Sequence, residues 1–158
     1  SIRKMFNHTR MIYTEKIKTE DNNQLTIELL LITEHGVFVI EFHDARFILR
    51  GDYQKDMMQI QYAHHQTIEV INPLANVHPL VQYIKKTLTI SDLDIKRLMV
   101  VQNNSYVGGM QTLGINQAIS KVDDIQEKMN QLINQSETKF TLKQIKAYDQ
   151  ILSDKIIG

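Results

Sequence analysis

The sequence predicts a mixed α/β domain: a mainly antiparallel β-meander sheet flanked by helices, with a helical C-terminal tail. Three observations support this fold class. In the first half, short apolar runs rich in β-branched residues alternate with turn residues. From Leu74 the spacing of apolar residues becomes that of a helix. Residues 95–102 then form a run that is apolar on both faces of a strand. The chain has 158 residues, the usual size of one domain and enough to bury a core.

The first half is predicted to hold about five antiparallel strands. TEDNN and TEHG provide turn chemistry between three apolar runs, Gly51 ends a fourth, and Asn72-Pro73 ends a fifth. The predicted strands are 11–18, 25–32, 37–42, a strand within RFILRGDY, and 66–71.

The second half is predicted to be mainly helical around one buried strand. Apolar residues from Leu74 to Leu88 follow a helical stripe, and Pro79 within it predicts either a kink or a helix that starts near His78. Residues 95–102 are predicted to be a buried strand, central or parallel, and Gly108-Gly109 to end a loop.

The tail is predicted to be helical. One apolar face from Ile115 to Ile133 indicates a helix, and Thr141 with Gln144 forms a capping box that opens a last helix. We therefore predict a core at 1–110 and a helical C-terminal extension at 111–158, packed on that core.

Composition excludes several classes of protein. Lys plus Arg and Asp plus Glu both total 18, so a globally basic nucleic-acid-binding protein is not indicated, although a local basic patch is compatible with the sequence. The absence of cysteine excludes disulfides, thiolate metal sites and a cysteine nucleophile, and it fits a cytoplasmic location. No apolar run reaches the roughly 18 residues of a membrane span, so no span is expected.

Two glutamates interrupt the apolar hairpin LTIELLLITEHGVFVIEFH. If Thr33 faces Gly36 across a two-residue turn, Glu28 lies opposite Glu41, with Cβ atoms about 4.5–5.5 Å apart. His43 is two residues beyond Glu41 and therefore points to the same face. Like charges in such a pair are destabilising unless compensated, and a divalent cation compensates them because hard cations take carboxylate oxygens. The pattern therefore predicts a metal site at the two glutamates.

A purely structural interpretation stands beside the metal site. Antiparallel ribbons often carry outward-facing polar residues, and a turn longer by one residue would break the pairing. In that case the glutamates are solvated, or one of them pairs with Lys16, Lys18 or Arg46.

The segment LTIELLLITEHGVFVIEFHDARFILRGD resembles the NERD (nuclease-related) domain, a branch of the PD-(D/E)XK nuclease-like superfamily. In that pattern an aspartate follows an isoleucine, then come an apolar strand, a turn ending in glycine, a GVFVIE-type strand and a lysine two residues on. The stretch INPLANVHPL is similar to the family's Asn-Pro element, and FTLKQIKAYDQIL to its short terminal helix. The resemblance spans about 11–88 and implies a restriction-endonuclease-like core.

The resemblance implies that the aspartate and the glutamate bind Mg²⁺ and that the lysine positions or activates the attacking water. By position these catalytic roles fall on Glu28, Glu41 and His43, and only Glu41 matches the pattern. Glu28 is longer than aspartate by one methylene, and a misplacement of about 1 Å costs about a hundredfold in rate. The predicted metal ligands are Glu28 and Glu41, with Mg²⁺ or Mn²⁺ as the cofactor.

Basic residues just after the hairpin are the predicted nucleic-acid contacts. Arg46, Arg50 and Lys55 suit phosphate binding, but because the net charge is zero a solvated loop rim is the favoured interpretation. Tyr53 and Tyr62 are candidate base-stacking residues or ordinary core aromatics.

The histidines outside the hairpin do not form a zinc motif. His64 and His65 are adjacent, which points them to opposite faces of a strand, and no HExxH pattern includes His78. We expect surface or loop positions for all three.

Two hypotheses of different classes follow from the resemblance and its departures. The first is a divalent-metal-dependent phosphodiesterase acting on or binding DNA or RNA, with catalysis impaired by the substituted lysine. The second is a catalytically inactive binding or scaffolding domain that contacts a protein partner or forms a homodimer.

Overall fold

The computed structural model describes residues 2–62 and 66–157 and contains a five-stranded and a four-stranded sheet packed with helices. The strands are β1 (Thr9–Lys18), β2 (Gln24–Thr33), β3 (Gly36–His43), β4 (Phe47–Arg50), β5 (Met57–Tyr62), β6 (Thr67–Ile71), β7 (Ile95–Val101), β8 (Tyr106–Val107) and β9 (Gln117–Lys121). The helices are α1 (Pro73–Asn76), α2 (His78–Leu88), α3 (Ile125–Asn134) and α4 (Leu142–Ser153). The predicted α/β fold class is confirmed.

The antiparallel strands of the first half are divided between the two sheets. The five-stranded sheet has the order β1-β2-β3-β7-β9, with β7 and β9 parallel to β3. The four-stranded sheet has the order β6-β5-β4-β8, so the single meander expected from the sequence breaks after β3. The break is favoured because Phe47 and Leu49 of β4 are buried against Met99 and Val101 on one face of the first sheet.

The sequence analysis did not predict β5. Its residues alternate between exposed Met57, buried Met58, exposed Gln59 and buried Ile60, the period of a strand with one solvated face. This alternation is short and partly polar, which made it resemble a loop.

The Asn-Pro element begins the helical half. Asn72 caps α1 by accepting a hydrogen bond from the Leu74 backbone N–H at 3.0 Å, and its amide donates to the carbonyls of Tyr53 and Lys55. The helix predicted to start near His78 is confirmed as α2, with Pro79 in its first turn, where a missing N–H costs nothing.

The buried strand predicted at 95–102 is confirmed as β7. It lies between β3 and β9 and is parallel to both. Leu98 and Val100 pack into the core below the sheet, whereas Met99 and Val101 pack toward the second sheet. Burial on both faces explains its continuous apolar sequence.

The tail departs from the prediction at its start. The predicted helix beginning at Ile115 is wrong over Gln117–Lys121, which forms β9, and the helix begins only at Ile125. Ile115 and Ile119 have helical spacing, but Ile119 is buried with its neighbours in the sheet, so tertiary packing overrides the local pattern.

The last helix is confirmed and joins the main core. Both hydrogen bonds of the Thr141–Gln144 capping box are formed. Ile145 and Leu152 of α4 are fully buried in the cluster that also contains residues of β1, β2 and α2. In the described part of the chain, no helix is long and apolar enough to span a bilayer.

Candidate functional site

The predicted hairpin register is confirmed along most of its length. Thr33 faces Gly36, and the antiparallel ladder continues to the pair Leu29–Ile40. The ladder ends there, one pair before Glu28 and Glu41. The structure thus corrects the expected direct cross-strand pairing of the two carboxylates.

An irregularity in β1 and β2 accounts for the end of the ladder. Thr14 adopts a left-handed conformation with φ of 52°, although the residues on either side of it pair with β2. In β2, Ile27 and Leu30 pack into the same core cluster although they are three positions apart, an odd spacing, so the alternation of faces reverses between them. Glu28 lies at this reversal, across from Thr14.

The Glu28 carboxylate continues the contact between β2 and β3. Its Oε2 accepts a hydrogen bond from the backbone N–H of Phe42 at 2.8 Å. This bond satisfies a main-chain donor that lies beyond the end of the backbone ladder. Glu28 therefore reaches the peptide between Glu41 and Phe42, although it does not face Glu41 across the strands.

Glu41 and His43 form the second part of the site, near the carboxyl end of β3. His43 Nε2 lies 3.8 Å from Glu41 Oε2, and both side chains are partly shielded from solvent. The interaction with Glu41 raises the pKa of His43 above its ordinary value, burial opposes this, and the charges of Glu28 and Asp44 add to the rise. The imidazolium thus persists to higher pH than in an isolated histidine, which brings His43 closer to the fixed charge of a lysine.

Asp44 was not predicted as part of the site. It follows His43 directly, is exposed, and contributes to the raised pKa of the imidazole. Its position beside His43 in the sequence was the available signal.

The donors suit a hard divalent cation in type but are not assembled as a complete site. Mg²⁺ prefers oxygen ligands, keeps several waters and commonly uses one or two carboxylates from the protein. Glu28 keeps Oε1 for such a role, since Oε2 is bound to Phe42. Within residues 2–62 and 66–157, no group of three or more acidic or histidine side chains is arranged to hold a metal ion.

An open groove of ≈550 Å³ borders the site on the side of Glu28. Its apolar walls include Tyr13, Leu29 and Phe42, while Glu41 and His43 are not among the residues that line it. Alternation along β3 explains this separation, because Phe42 points to one face of the sheet and its two neighbours to the other.

The three predicted nucleic-acid contacts are exposed but do not form one cluster. Arg46 precedes β4, Arg50 ends it, and Lys55 lies in the following turn. At about 3.3 Å per residue, the first two are roughly 13 Å apart along the strand. Only Arg46 lies near His43 in the chain.

The remaining candidates divide between core and surface. Tyr53 is only 4% exposed and belongs to the core between the sheets, so it does not stack on bases. Tyr62 is partly exposed and packs edge-on against Phe47. His78 Nδ1 lies 3.1 Å from Arg97 Nη2, whereas His64 and His65 are outside the described residues.

Comparison with known proteins gives a match to one family. The family model described as NERD, the nuclease-related domain, matches residues 3–102, nearly two thirds of the chain. Neither a search of curated proteins nor a search of solved structures returns a match. The matched region contains both glutamates, His43 and the Asn-Pro element. The chain therefore belongs to the nuclease-related domain family and, through that family, to the PD-(D/E)XK nuclease-like superfamily.

Proposed function

We propose that this chain is a nuclease-fold module that acts on nucleic acid, with Glu28 and Glu41 as ligands of Mg²⁺ or Mn²⁺. The observation that carries the proposal is the set of carboxylates near one imidazole within the family-matched region: Glu28, Glu41 and Asp44 all raise the pKa of His43. A bound divalent ion would supply charge neutralisation at a phosphodiester.

The chain's own residues have separable tasks in this proposal. Glu28 is held by the Phe42 N–H and keeps one oxygen free, and Glu41 holds the imidazole of His43. Protonated His43 would then provide a positive charge where the family pattern has a lysine. Because imidazolium loses its proton within the physiological range and lysine does not, activity should fall as pH rises through the pKa of His43.

The first experiment is a calorimetric titration of Mn²⁺ and Mg²⁺ into the wild-type chain and Glu41→Ala. We expect binding near one equivalent that is lost in the variant. Glu20→Ala is the matched control, since Glu20 is an exposed glutamate in the β1–β2 turn, away from the site. Absence of binding in the wild type, or equal losses in both variants, would contradict the metal site.

Cleavage is tested on single- and double-stranded DNA and RNA with Mn²⁺ or Mg²⁺ present. The proposal expects hydrolysis that requires Glu41 and is slower than in an enzyme with a lysine at position 43. His43→Lys is therefore expected to increase the rate. A faster His43→Lys variant would support a role at the lysine position, whereas hydrolysis unchanged in Glu41→Ala would place the chemistry elsewhere.

The competing function is a binding or scaffolding domain without catalysis. The groove beside Glu28 favours it, because Tyr13 is 63% and Phe42 43% exposed within one apolar surface. Sedimentation analysis of the wild type and Tyr13→Ser distinguishes this function. Self-association that depends on Tyr13, together with no metal binding, would support it.

A further inference from the structure

Among the residues that the structure describes, none covers one face of the second sheet. We call this face the outer face and define it by Ile48, Arg50, Gln59, Gln61 and Tyr106. Phe47 and Leu49 of β4 face the core and are 3% and 0% exposed. Because side chains alternate along a strand, Ile48 and Arg50 face outward. Gln61 lies opposite Ile48, and Gln59 lies opposite Arg50. The face thus consists of two rows across three strands.

Tyr106 completes the first row. It lies beside Ile48 in the parallel pairing of β4 with β8, and it is 58% exposed. An aromatic ring exposed to this extent on the surface of a sheet offers a stacking surface rather than a core contact.

Gly108 leaves a notch in the second row. A Cβ at this position would lie 3.4 Å from Tyr106 Cε1 and 3.9 Å from Arg50 Cγ. The tyrosine ring and the arginine stem therefore flank the same space, which the glycine leaves free. The Gly108 N–H donates to the Leu49 carbonyl at 2.8 Å, which fixes the floor of the notch.

The charge of the face is suited to an anionic chain. Arg50 is exposed on it, and Arg46 is exposed just before β4 begins. In the described part of the chain, neither arginine takes part in an ion pair. The acidic Glu69 lies opposite Gln59 on β6, the edge strand farthest from Tyr106.

We propose that the outer face binds single-stranded nucleic acid, with a base stacked on Tyr106 in the notch at Gly108 and phosphates at Arg50 and Arg46. This inference rests on the proposed nucleic-acid function and names its substrate class. A duplex hides its base faces in the stack, whereas an unpaired base can lie flat on an exposed ring and expose its edge to the glutamine amides. The two arginines are about 13 Å apart along β4, so they would contact different phosphates of one nucleic-acid strand.

The chain connects the outer face with the candidate site at one residue. Arg46 is exposed and follows His43 by three residues, whereas the Phe47 ring, 6.2 Å from the His43 ring, faces the core and away from the outer face. A strand bound on the outer face would therefore have to pass Arg46 and the start of β4 to reach Glu41. In this proposal the outer face is a binding surface separate from the site at Glu41.

The test is fluorescence anisotropy with labelled oligothymidine and oligouridine of about 12 nucleotides, in EDTA so that no cleavage occurs. Loss of stacking in Tyr106→Ala should weaken binding about tenfold, whereas Tyr106→Phe should remain within about twofold of the wild type. Gly108→Val fills the notch without removing ring or charge and should weaken binding about fivefold. Arg50→Gln removes one phosphate contact, so the slope of the logarithm of the association constant against the logarithm of salt concentration should decrease in magnitude by about 0.7.

Two controls lie away from the outer face. Leu93→Ala removes an apolar side chain that is 61% exposed, close to the 58% of Tyr106, and Arg10→Gln removes an exposed arginine from β1 of the other sheet. We expect both controls to bind as the wild type does. Circular dichroism of every variant establishes that it is folded.

The outcomes separate this inference from the proposed function. Tighter binding of single strands than of a duplex, with losses in Tyr106→Ala and Gly108→Val and none in the two controls, supports the inference. Two results would overturn the inference and leave the nucleic-acid function standing. The first is an equal loss of affinity in Leu93→Ala, and the second is binding or cleavage of duplex only. No binding of any nucleic acid in EDTA, together with no binding or cleavage when Mn²⁺ is present, overturns both.

Discussion

At the scale of single residues, the Glu28 carboxylate has two uses that draw on different atoms. Oε2 satisfies the Phe42 N–H, and Oε1 is free to bind a cation. A glutamine at this position keeps an acceptor for the N–H but loses the negative charge that a hard cation requires. Substitutions can therefore separate the structural use from the proposed functional one.

We expect Glu28→Gln to preserve stability and Glu28→Ala to reduce it by about 0.5–1.5 kcal/mol, since only alanine leaves the N–H without its side-chain partner. Both variants should lose Mn²⁺ affinity. Urea unfolding with and without Mn²⁺ measures the two effects. Equal destabilisation by glutamine and alanine would mean that the contact depends on charge and not on the acceptor.

Lys96 is a second residue whose environment has a measurable consequence. It is fully buried in β7, its Nζ lies 3.1 Å from Ser136 Oγ, and it sits 5.8 Å from the centroid of the Phe38 ring. Burial lowers the pKa of Lys96 from 10.5 to about 8, while the charge of Asp94 partly opposes this. The folded state thus binds this proton less tightly than the unfolded state.

We predict that the stability of the wild type rises between pH 8 and about pH 9.5, because the unfolded chain still binds the Lys96 proton there while the folded chain releases it. Below pH 8 the cost of charging buried Lys96 is fully present, at roughly 3 kcal/mol. Above about pH 10 the trend reverses, since burial raises the pKa of Tyr53 and only the unfolded tyrosine ionises. Urea unfolding across this range gives the profile.

Lys96→Met is the control for the pH profile. Methionine has a similar volume without the charge, so its stability should be flat between pH 8 and about pH 9.5. A rise of equal size in Lys96→Met would assign the pH dependence to another group.

At the scale of elements, the irregularity at Thr14 shapes the site. A β-branched residue in the left-handed region is strained by about 1 kcal/mol, and asparagine tolerates that region better. The strain is localised where β1 and β2 reverse their faces and where Glu28 turns toward Phe42.

Thr14→Asn is therefore expected to stabilise the chain by about 0.5–1 kcal/mol, as measured by urea unfolding. Thr26→Asn is the control, because Thr26 is exposed within regularly paired β2 and asparagine is a poor strand residue. Stabilisation by both substitutions, or by neither, would show that the backbone at position 14 is not strained.

These elements also show what the sequence determines. The hairpin register followed from a two-residue turn and an apolar pattern, and it was correct down to Leu29–Ile40. The reversal at Thr14 has no local signal, so the separation of Glu28 from Glu41 was not predictable. Tyr106 lies in the segment predicted as the loop that ends at Gly108-Gly109, because a strand of two residues is defined by its neighbours and not by its own pattern.

At the scale of the whole molecule, the C-terminal residues are joined to the core at several points. β9 pairs with β7 as an edge of the first sheet, and the Phe140 N–H donates to the Glu34 carbonyl. Ile157 donates to the Lys16 carbonyl on the outer edge of β1. The division at residue 110 remains a prediction, and these contacts lead us to expect that the two parts unfold together.

Leu152→Ala tests this cooperativity without cutting the chain. Leu152 is fully buried in α4 against residues of the main core, so its truncation should cost about 2–4 kcal/mol. If 111–158 is packed as an integral part of the domain, far-UV circular dichroism and tyrosine fluorescence will report the same lowered midpoint. Ile151→Ala is the control. The Ile151 side chain, next to Leu152 in the sequence, is 38% exposed, so its truncation should lower the free energy of unfolding by less than about 1 kcal/mol. An early transition confined to the helical signal, with the midpoint of the sheets unchanged, would instead make the C-terminal part a separate unfolding unit. In the sequence, β9 comes after the other strands of the first sheet and before α4. That outcome would therefore also require β9 to stay paired with β7 while α4 detaches.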